Sequence, residues 1–333
     1  MHRLMPTDDT DAFDRQRLKG LQLAFDHLPL GAGVFTLSGR PVYLNRYFIE
    51  LYGLQWWSED CDMDFQDMLE HGAFRDWKID PRQHLTEMLE TVLSGRAYEA
   101  EIEQGDRIIR MHNRLMTPDF ILSTQEDVTA RVRAERQVSY LALHDPLTRL
   151  LNRAGFVAQL KDMLKRKASN GEPFGIISLD LDHFKDVNDI FGHMAGDTVL
   201  RATAARMRSA LGPLDFAGRL GGDEFVIVAG SDQQPGAVNL IASRLQTELC
   251  RPVAFEGQML RVGTSIGIAV YPRDGEDRAT LISNADMALY RAKREGRGRA
   301  CAFDHVMDRH ARERRLQMVQ PLALEGHDEI MSA

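Results

Sequence analysis

Hydrophobic residues recur in short alternating runs over the first part of the chain. The runs lie at residues 32–37, 41–44, 98–103, 107–113 and 120–124, and helical spacing is found between them at 47–52 and 84–93. Short alternating runs divided by turn residues are typical of antiparallel strands. We therefore expect an α+β domain with an antiparallel sheet at residues 20–127. Before it, the polar residues 1–19 should form a mobile tail or the lead-in to a first helix.

A different pattern, of long helices and strongly apolar strands, begins at residue 144. It predicts helices at 153–167, 195–211, 236–249 and 278–295, strands at 174–180 and 260–271, and a hairpin at 216–230 that turns at Gly221 and Gly222. These four strands and their helices indicate a second α+β domain at residues 144–306. Residues 128–142 are charged and lack Gly and Pro, which favours one connecting helix in a linker that extends to residue 143.

Composition narrows the class of protein. The 333-residue chain is 44% hydrophobic and 27% charged, which suffices for two domains that each bury a core. Its 41 Lys and Arg against 49 Asp and Glu give a net charge of −8, which disfavours nucleic acid or an anionic membrane as a partner. No run approaches the ~18 apolar residues of a membrane span. Three widely spaced cysteines fit neither disulfides nor a metal cluster, so we expect a reduced, cytoplasmic location.

Two groups of carboxylates stand where ligands usually bind. Asp180 ends the apolar strand, and further acidic residues follow it as far as Asp189. Carboxylates this close together repel one another unless a cation or solvent relieves them. Asp223 and Glu224 follow the glycine pair of the hairpin, and as neighbours on an emerging strand they should point to opposite faces, seldom both into one pocket. Either group of carboxylates alone is most simply explained as solvated surface residues, so the choice between a solvated surface and a ligand site depends on the surrounding motifs.

Those motifs stand in a fixed order along the second domain. They read HDPLTRLLNR at 144–153, DLDHFKDVND at 180–189, FGH at 191–193 with GD at 196–197, GGDEF at 221–225, SIGIA at 265–269, AD at 285–286 with Tyr290, and AK at 292–293 with GR at 296–297. In this order the chain resembles the GGDEF family of diguanylate cyclases, which condense two GTP molecules into cyclic di-GMP. The resemblance covers residues 145–303.

The resemblance implies a ferredoxin-like nucleotidyl-cyclase fold, GTP as substrate, and Mg²⁺ or Mn²⁺ as the metal. Asp180, Asp223 and the backbone carbonyl of Leu181 match the metal-binding positions. Asp223 and Glu224 match the catalytic positions near the attacking ribose hydroxyl, and which of them takes the proton stays open. Attack on an α-phosphate needs the triphosphate charge neutralised, so metals held by carboxylates suit this chemistry. Each domain would bind one GTP, which implies a homodimer formed through the cyclase domains and the connecting helix.

The same resemblance assigns the contacts with the substrate. Asn188 and Asp197 match the residues that recognise the guanine edge, where a carboxylate that accepts hydrogen bonds from guanine would exclude adenine. Lys293 and Arg297 are four residues apart, hence on one helix face, and match the positions that bind the terminal phosphates. The remaining matched substrate positions are Phe184, Lys185 and His193.

One feature of the family is incomplete in this chain. Many members carry an Arg-x-x-Asp sequence nine residues before the first Gly of the motif, where the Arg and the Asp bind the product and restrain the enzyme. Here Gly212 stands in place of the Arg, and Asp215 is kept. Glycine offers no side-chain donors for phosphate or guanine. We therefore expect a degenerate inhibitory site and weak or absent inhibition by cyclic di-GMP.

The N-terminal domain is similar to a PAS sensory domain. Residues 28–35 and 39–45 match its first hairpin, 45–53 match the next helix, and 126–135 match the junction with a signalling helix. The resemblance implies a sensor whose ligand is unknown. The candidate ligands for a cofactor are His71, His84 and His112, although each is more simply a packing or surface histidine.

Two alternatives to an active cyclase remain open. One is a catalytically silent domain that binds GTP or cyclic di-GMP as a receptor or interaction module, although no acidic, guanine-reading or phosphate-binding position has been lost. The other is a truncated or split form of a two-domain regulator. Within the C-terminal tail, residues 307–333, the stretch from residue 311 starts like the helix that leads into a phosphodiesterase domain in this family.

Overall fold

The chain forms two compact units. The computed structural model describes residues 8–58, 61, 63–231 and 233–306, and the units divide between Gln137 and Val138. The predictions for residues 1–7 and for the tail 307–333 lie outside the described residues. None of the described helices is long and apolar enough to cross a membrane.

The first unit is an antiparallel five-stranded sheet in the order β2-β1-β5-β4-β3. Its elements are α1 (Asp8–Asp26), β1 (Gly31–Thr36), β2 (Pro41–Leu44), α2 (Arg46–Tyr52), α3 (Phe65–Glu70), α4 (Pro81–Leu93), β3 (Tyr98–Gln104), β4 (Arg107–Thr117) and β5 (Phe120–Asp127). Alternate residues of β5 are buried, and side chains of α2, α3 and α4 complete the core over this face. Residues 8–19 are part of α1, so of the two expectations for this segment the helical one is correct for the described residues.

A single helix, α5 (Thr129–Leu143), follows β5 and continues across the division between the units. The sequence predicts a helix at 128–142, and the structure places it one residue later at each end. Val132 is buried, whereas Val138 and Leu141 are exposed.

The second unit is built on a five-stranded sheet in the order β12-β11-β6-β8-β7, with a separate two-stranded hairpin. Its elements are α6 (Arg153–Asn170), β6 (Phe174–Asp182), α7 (Phe184–Phe191), α8 (His193–Ala210), β7 (Phe216–Gly221), β8 (Glu224–Ala229), α9 (Gly236–Leu249), β9 (Val253–Phe255), β10 (Gln258–Leu260), β11 (Gly263–Tyr271), α10 (Arg278–Arg294) and β12 (Ala300–Ala302). The strand predicted at 260–271 is wrong at its start, because β10 ends at Leu260 and β11 begins at Gly263.

Helices cover both faces of this sheet, and β6 lies at its centre. Every residue of β6 is buried. Alternate residues of β6 pack against α8 and α9 on one face and against α6 and α10 on the other. Gly267 on β11 lets α10 lie directly on the sheet, because a Cβ there would overlap the Ala285 carbonyl of that helix. This close approach brings the C-terminal half of α10 beside the end of β6.

Candidate active site

Asp180, near the C-terminal end of β6, forms an ion pair with Lys293 of α10. Asp180 Oδ2 lies 2.7 Å from Lys293 Nζ, and Asp180 is 9% exposed. Burial raises the pKa of the Asp180 carboxyl, the hydrogen bond and charge of Lys293 lower it, and the charges of Asp223 and Asp182 raise it again; the result is a pKa above the usual value. A carboxylate whose charge is disfavoured in this way favours a bound cation.

The turn between β7 and β8 brings two more carboxylates to Asp180. Glu224 is the first residue of β8 and pairs directly opposite Asp180, and directly opposed residues share one face of a sheet. Asp223 lies in the turn, with its charge close enough to raise the pKa of Asp180. Both residues therefore lie beside Asp180. Asp223 belongs to the turn and Glu224 to β8, and the expectation that their side chains point to opposite faces stays a prediction.

Arg219 fixes this turn from the side. Its Nε donates to the Gly222 carbonyl at 2.8 Å, and its Nη1 lies 3.1 and 3.2 Å from the two carboxylate oxygens of Asp145. Asp145 also accepts hydrogen bonds from the amide and hydroxyl of Thr148. Burial raises the pKa of Asp145, but the hydrogen bonds from Thr148 and Arg219 and the charge of Arg219 hold it below the usual value. The turn that follows α5 is thus tied directly to the turn that carries Asp223.

The carboxylates suit a magnesium site that the substrate completes. In the described part of the chain, no three His, Cys, Asp or Glu side chains come together as a ready-made metal site. Asp180 and Asp223 nevertheless fit Mg²⁺, which prefers oxygen ligands and is usually held by one or two carboxylates together with substrate phosphates. Leu181, the third residue matched to metal binding, follows Asp180 on β6.

Gly196 brings together the two residues matched to guanine recognition. A Cβ at Gly196 would overlap the side-chain oxygen of Asn188, so this amide of α7 lies against the first turn of α8. Asp197 is the next residue of α8, partly exposed and 3.4 Å from Arg201. An amide and a carboxylate that are adjacent and accessible can together satisfy the donors and acceptors of a base edge.

The remaining predicted substrate residues differ in exposure. The Phe184 side chain is 8% exposed and packs in the core, so its ring supports the fold of the site, and its assignment as a substrate position stays a prediction. Lys185 and His193 are exposed, and no described contact joins either to the carboxylates. Arg297 lies beyond the end of α10 in a left-handed conformation, with an exposed side chain. The expectation that it shares a helix face with Lys293 is therefore wrong, because the helix ends at Arg294.

Asp215, the residue kept from the inhibitory motif, is engaged by its own backbone surroundings. Its Oδ2 accepts the Gly212 amide at 2.8 Å, and its Oδ1 accepts the Gly230 amide at 2.9 Å. One oxygen of Asp215 therefore holds the connection between α8 and β7, and the other ties this connection to the residue after β8. Weak inhibition by the product stays a prediction.

The candidate histidines of the first unit lie apart from one another. His71 is exposed beside the Asp67 carbonyl, and His112 lies 3.4 Å from Glu99. His84 is buried, its Nδ1 is 3.0 Å from the Tyr98 hydroxyl, and burial lowers its pKa. The cavity beside it, of about 10 Å³, has room for one water molecule, which does not fit a haem or a flavin.

Comparison with known proteins places these features in two families. The family model described as diguanylate cyclase, GGDEF domain, matches residues 142–299, and the model described as PAS fold matches residues 25–136. The chain belongs to the GGDEF family and carries a PAS domain on the N-terminal side of the GGDEF domain.

Several known proteins are similar to this chain over one or both of these domains. An uncharacterized signaling protein of Caulobacter vibrioides is 38% identical over 301 residues, which are 90% of this chain and 34% of that protein. Diguanylate cyclase TpbB of Pseudomonas aeruginosa is 34% identical over 227 residues, 66% of this chain and 51% of that protein. A crystal structure of a sensory box/GGDEF family protein from Caulobacter crescentus is 48% identical and covers 46% of this chain and 99% of the solved chain, with a TM-score of 0.44. The chain thus spans about a third to a half of the length of these two curated relatives.

Proposed function

We propose that this chain is a diguanylate cyclase, which condenses two GTP molecules into cyclic di-GMP and releases two pyrophosphates, under the control of its PAS domain. The observation that carries the proposal is the ion pair of Asp180 with Lys293 at the end of β6, with the turn of Asp223 and Glu224 next to it in the sheet. Asp180, whose pKa is raised by its surroundings, lies beside a lysine, and a carboxylate with a neighbouring cation of this kind suits the joint binding of a metal and a triphosphate.

In the proposed reaction, the 3′-hydroxyl of one GTP attacks the α-phosphate of another. A bond forms between that oxygen and the α-phosphorus, the bond to the bridging oxygen breaks, and pyrophosphate leaves. The hydroxyl proton goes to a carboxylate, for which Asp223 and Glu224 are the candidates. A second attack in the opposite direction closes the ring. Because each site holds one GTP, two catalytic domains must face each other, so the working form is a homodimer.

The other residues bind and orient the substrate. Mg²⁺ or Mn²⁺, held by Asp180, Asp223 and the Leu181 carbonyl, would neutralise the triphosphate and make the α-phosphorus more electrophilic. Lys293 and Arg297 hold the terminal phosphates. Asn188 and Asp197 hold the guanine, and this contact selects GTP over ATP because an adenine would leave the carboxylate without its donors.

The test is to incubate the purified full chain with GTP and Mg²⁺ and to identify the products by mass spectrometry. We expect cyclic di-GMP and two pyrophosphates for each molecule formed, and no product from Asp223→Ala. Asp162→Ala is the matched control, because it removes an exposed carboxylate of α6 away from the site. Tight binding of GTP without any product would instead identify the silent receptor.

A further inference from the structure

Asp182, the last residue of β6, is a buried carboxylate that holds two separate parts of the second unit. It is 6% exposed. Its Oδ1 accepts the Ser265 hydroxyl of β11 at 2.7 Å, and its Oδ2 accepts the Gly298 amide at 3.0 Å. A buried carboxylate must be satisfied by hydrogen bonds or by a cation. The donors to Asp182 are one hydroxyl and one backbone amide, both from segments distant in sequence.

The Gly298 amide belongs to the loop that carries Arg297. Arg297 has φ 61° and Gly298 has φ 58°, so both are left-handed, a conformation that residues other than glycine rarely adopt. The Arg297 amide donates to the Ala292 carbonyl at 3.0 Å and closes the end of α10. The bond to Asp182 comes one residue later. The backbone of Arg297 is therefore fixed on both sides, by α10 before it and by Asp182 after it.

This anchorage matters because the Arg297 side chain is exposed and long. Its guanidinium can approach a phosphate in a defined direction only if its backbone is held. Asp180 and Asp182 are two residues apart on β6 and so lie on one face of the strand. The strand thus contacts Lys293 through Asp180 and the Arg297 loop through Asp182.

We propose that Asp182 is a positioning residue for the GTP phosphates, which acts through Arg297 and is not a ligand of the metal. The inference rests on the proposed function and deepens it, since it explains how the second phosphate-binding cation is held. Asp180 lies near the charge of Asp223, whereas both oxygens of Asp182 accept hydrogen bonds, from Ser265 and Gly298.

The chain offers a second way to disturb this contact without removing the carboxylate. Gly263 of β11 pairs directly opposite Asp182. A Cβ at Gly263 would lie 3.0 Å from Asp182 Oδ2, close enough to push the carboxylate away from the Gly298 amide. Gly263→Ala therefore changes the position of Asp182 and leaves its charge in place.

The test measures binding by calorimetry, with Mg²⁺, of a non-hydrolysable GTP analogue and of GMP, which lacks the terminal phosphates. We expect Asp182→Ala to raise the Kd of the analogue about tenfold or more, as for the loss of a hydrogen bond to a charged group, and to leave the Kd of GMP unchanged. Asp182→Asn should stay near wild type, because its oxygen can accept from Gly298 while its amide donates to the Ser265 hydroxyl. In an Arg297→Ala background, Asp182→Ala should add nothing.

Several results would overturn the inference. An unchanged Kd of the analogue in Asp182→Ala would show that Asp182 does not position the phosphate-binding residue. Equal losses of affinity in Asp182→Asn and Asp182→Ala would show that the negative charge of Asp182 is what matters, as expected for a ligand of the metal. Additive losses with Arg297→Ala would separate the two residues. If Asp182→Ala also loses the binding of GMP, its fold has failed, and Gly263→Ala then provides the test. Weaker binding of the analogue alone by Gly263→Ala supports the inference, and wild-type binding of the analogue by Gly263→Ala rejects it. Because binding is measured, a chain without cyclase activity still gives an answer.

Discussion

At the residue scale, the surroundings of Asp180 that would favour a bound cation also lower the stability of the fold when the carboxyl is ionised. Burial and the neighbouring carboxylates raise its pKa in spite of Lys293. A carboxyl whose pKa is raised by folding contributes stability below its unfolded pKa and loses that contribution as the pH rises through the folded pKa. At neutral pH the ionised form therefore weakens the fold until a cation compensates for it.

Asp180→Asn should accordingly abolish product formation while its melting temperature at pH 7, without ligands, equals or exceeds that of the wild type. Lys293 loses its partner but is partly exposed and can be solvated. The measurement is thermal unfolding by circular dichroism together with product analysis, with Asp162→Asn as a control that changes neither. A clearly lower melting temperature would show that Asp180 supports the fold.

In the proposed enzyme, guanine selection would depend on the absence of a side chain at Gly196. Gly196→Ala places a methyl group where the Asn188 amide lies, so Asn188 must move and one set of contacts with the base is lost. We expect a KM for GTP raised about tenfold and weaker discrimination against ATP, with the helix retained because alanine favours it. Gly236→Ala, in a helix with open space around the glycine, is the control. Unchanged GTP kinetics would place guanine recognition elsewhere.

At the element scale, α5 is connected to the catalytic turn by a short series of contacts. The turn after α5 carries Asp145, which binds Arg219, and Arg219 binds the Gly222 carbonyl next to Asp223. Asp145 and Arg219 are both largely buried. We therefore expect a rotation of the end of α5 to reach the turn that bears Asp223, the proposed metal-binding carboxylate.

Insertion of one to four alanines after Arg136 should change the activity periodically, because each residue rotates the helix by about 100°. The rate of cyclic di-GMP formation for each length is the measurement. Asp145→Asn should weaken this dependence, since it breaks the contact with Arg219. The same activity at all four lengths would indicate a flexible tether.

Elements with a strong pattern of their own were predictable from the sequence, and elements that depend on neighbours were not. The long helices α8 and α10 and the apolar strand β6 follow from periodicity. In contrast, β12 has three residues, and only its parallel pairing with β11 defines it. The carboxylates of the site were likewise predictable from motifs. The Lys293–Asp180 ion pair and the anchored Arg297 depend on the close approach at Gly267 and on the left-handed loop, which no local pattern encodes.

At the scale of the whole molecule, the two units can be observed separately. All three tryptophans, Trp56, Trp57 and Trp77, belong to the first unit. Tryptophan emission therefore reports on the PAS domain alone, whereas circular dichroism reports on both units. Trp77 packs against His84, with ring centroids 5.2 Å apart.

The stability of the PAS domain should fall as the pH decreases below about 6.5, the pKa of an unfolded histidine. Burial lowers the pKa of His84, so the unfolded state takes up a proton first and is favoured as the pH falls toward the folded pKa. Urea unfolding followed by tryptophan emission at pH 7.5 and 5.5 measures the effect. His84→Gln should reduce the pH dependence, and His71→Gln, at an exposed position, should not. An equal dependence in His84→Gln would assign it to other groups.

Because Lys293 forms an ion pair with Asp180, the lysine would compete with the proposed metal ion for this carboxylate. In the proposed site, the ammonium group and a divalent cation would both bind the carboxylate of Asp180, so a cation that binds alone would compete with the amine. Lys293→Met should therefore bind Mn²⁺ alone several-fold more tightly than the wild type, and bind a GTP analogue more weakly. Calorimetry with each ligand separately measures these opposite changes. When metal and nucleotide arrive together, the displaced lysine could move to the phosphates, so the proposed site would favour the metal–nucleotide complex over free metal ions.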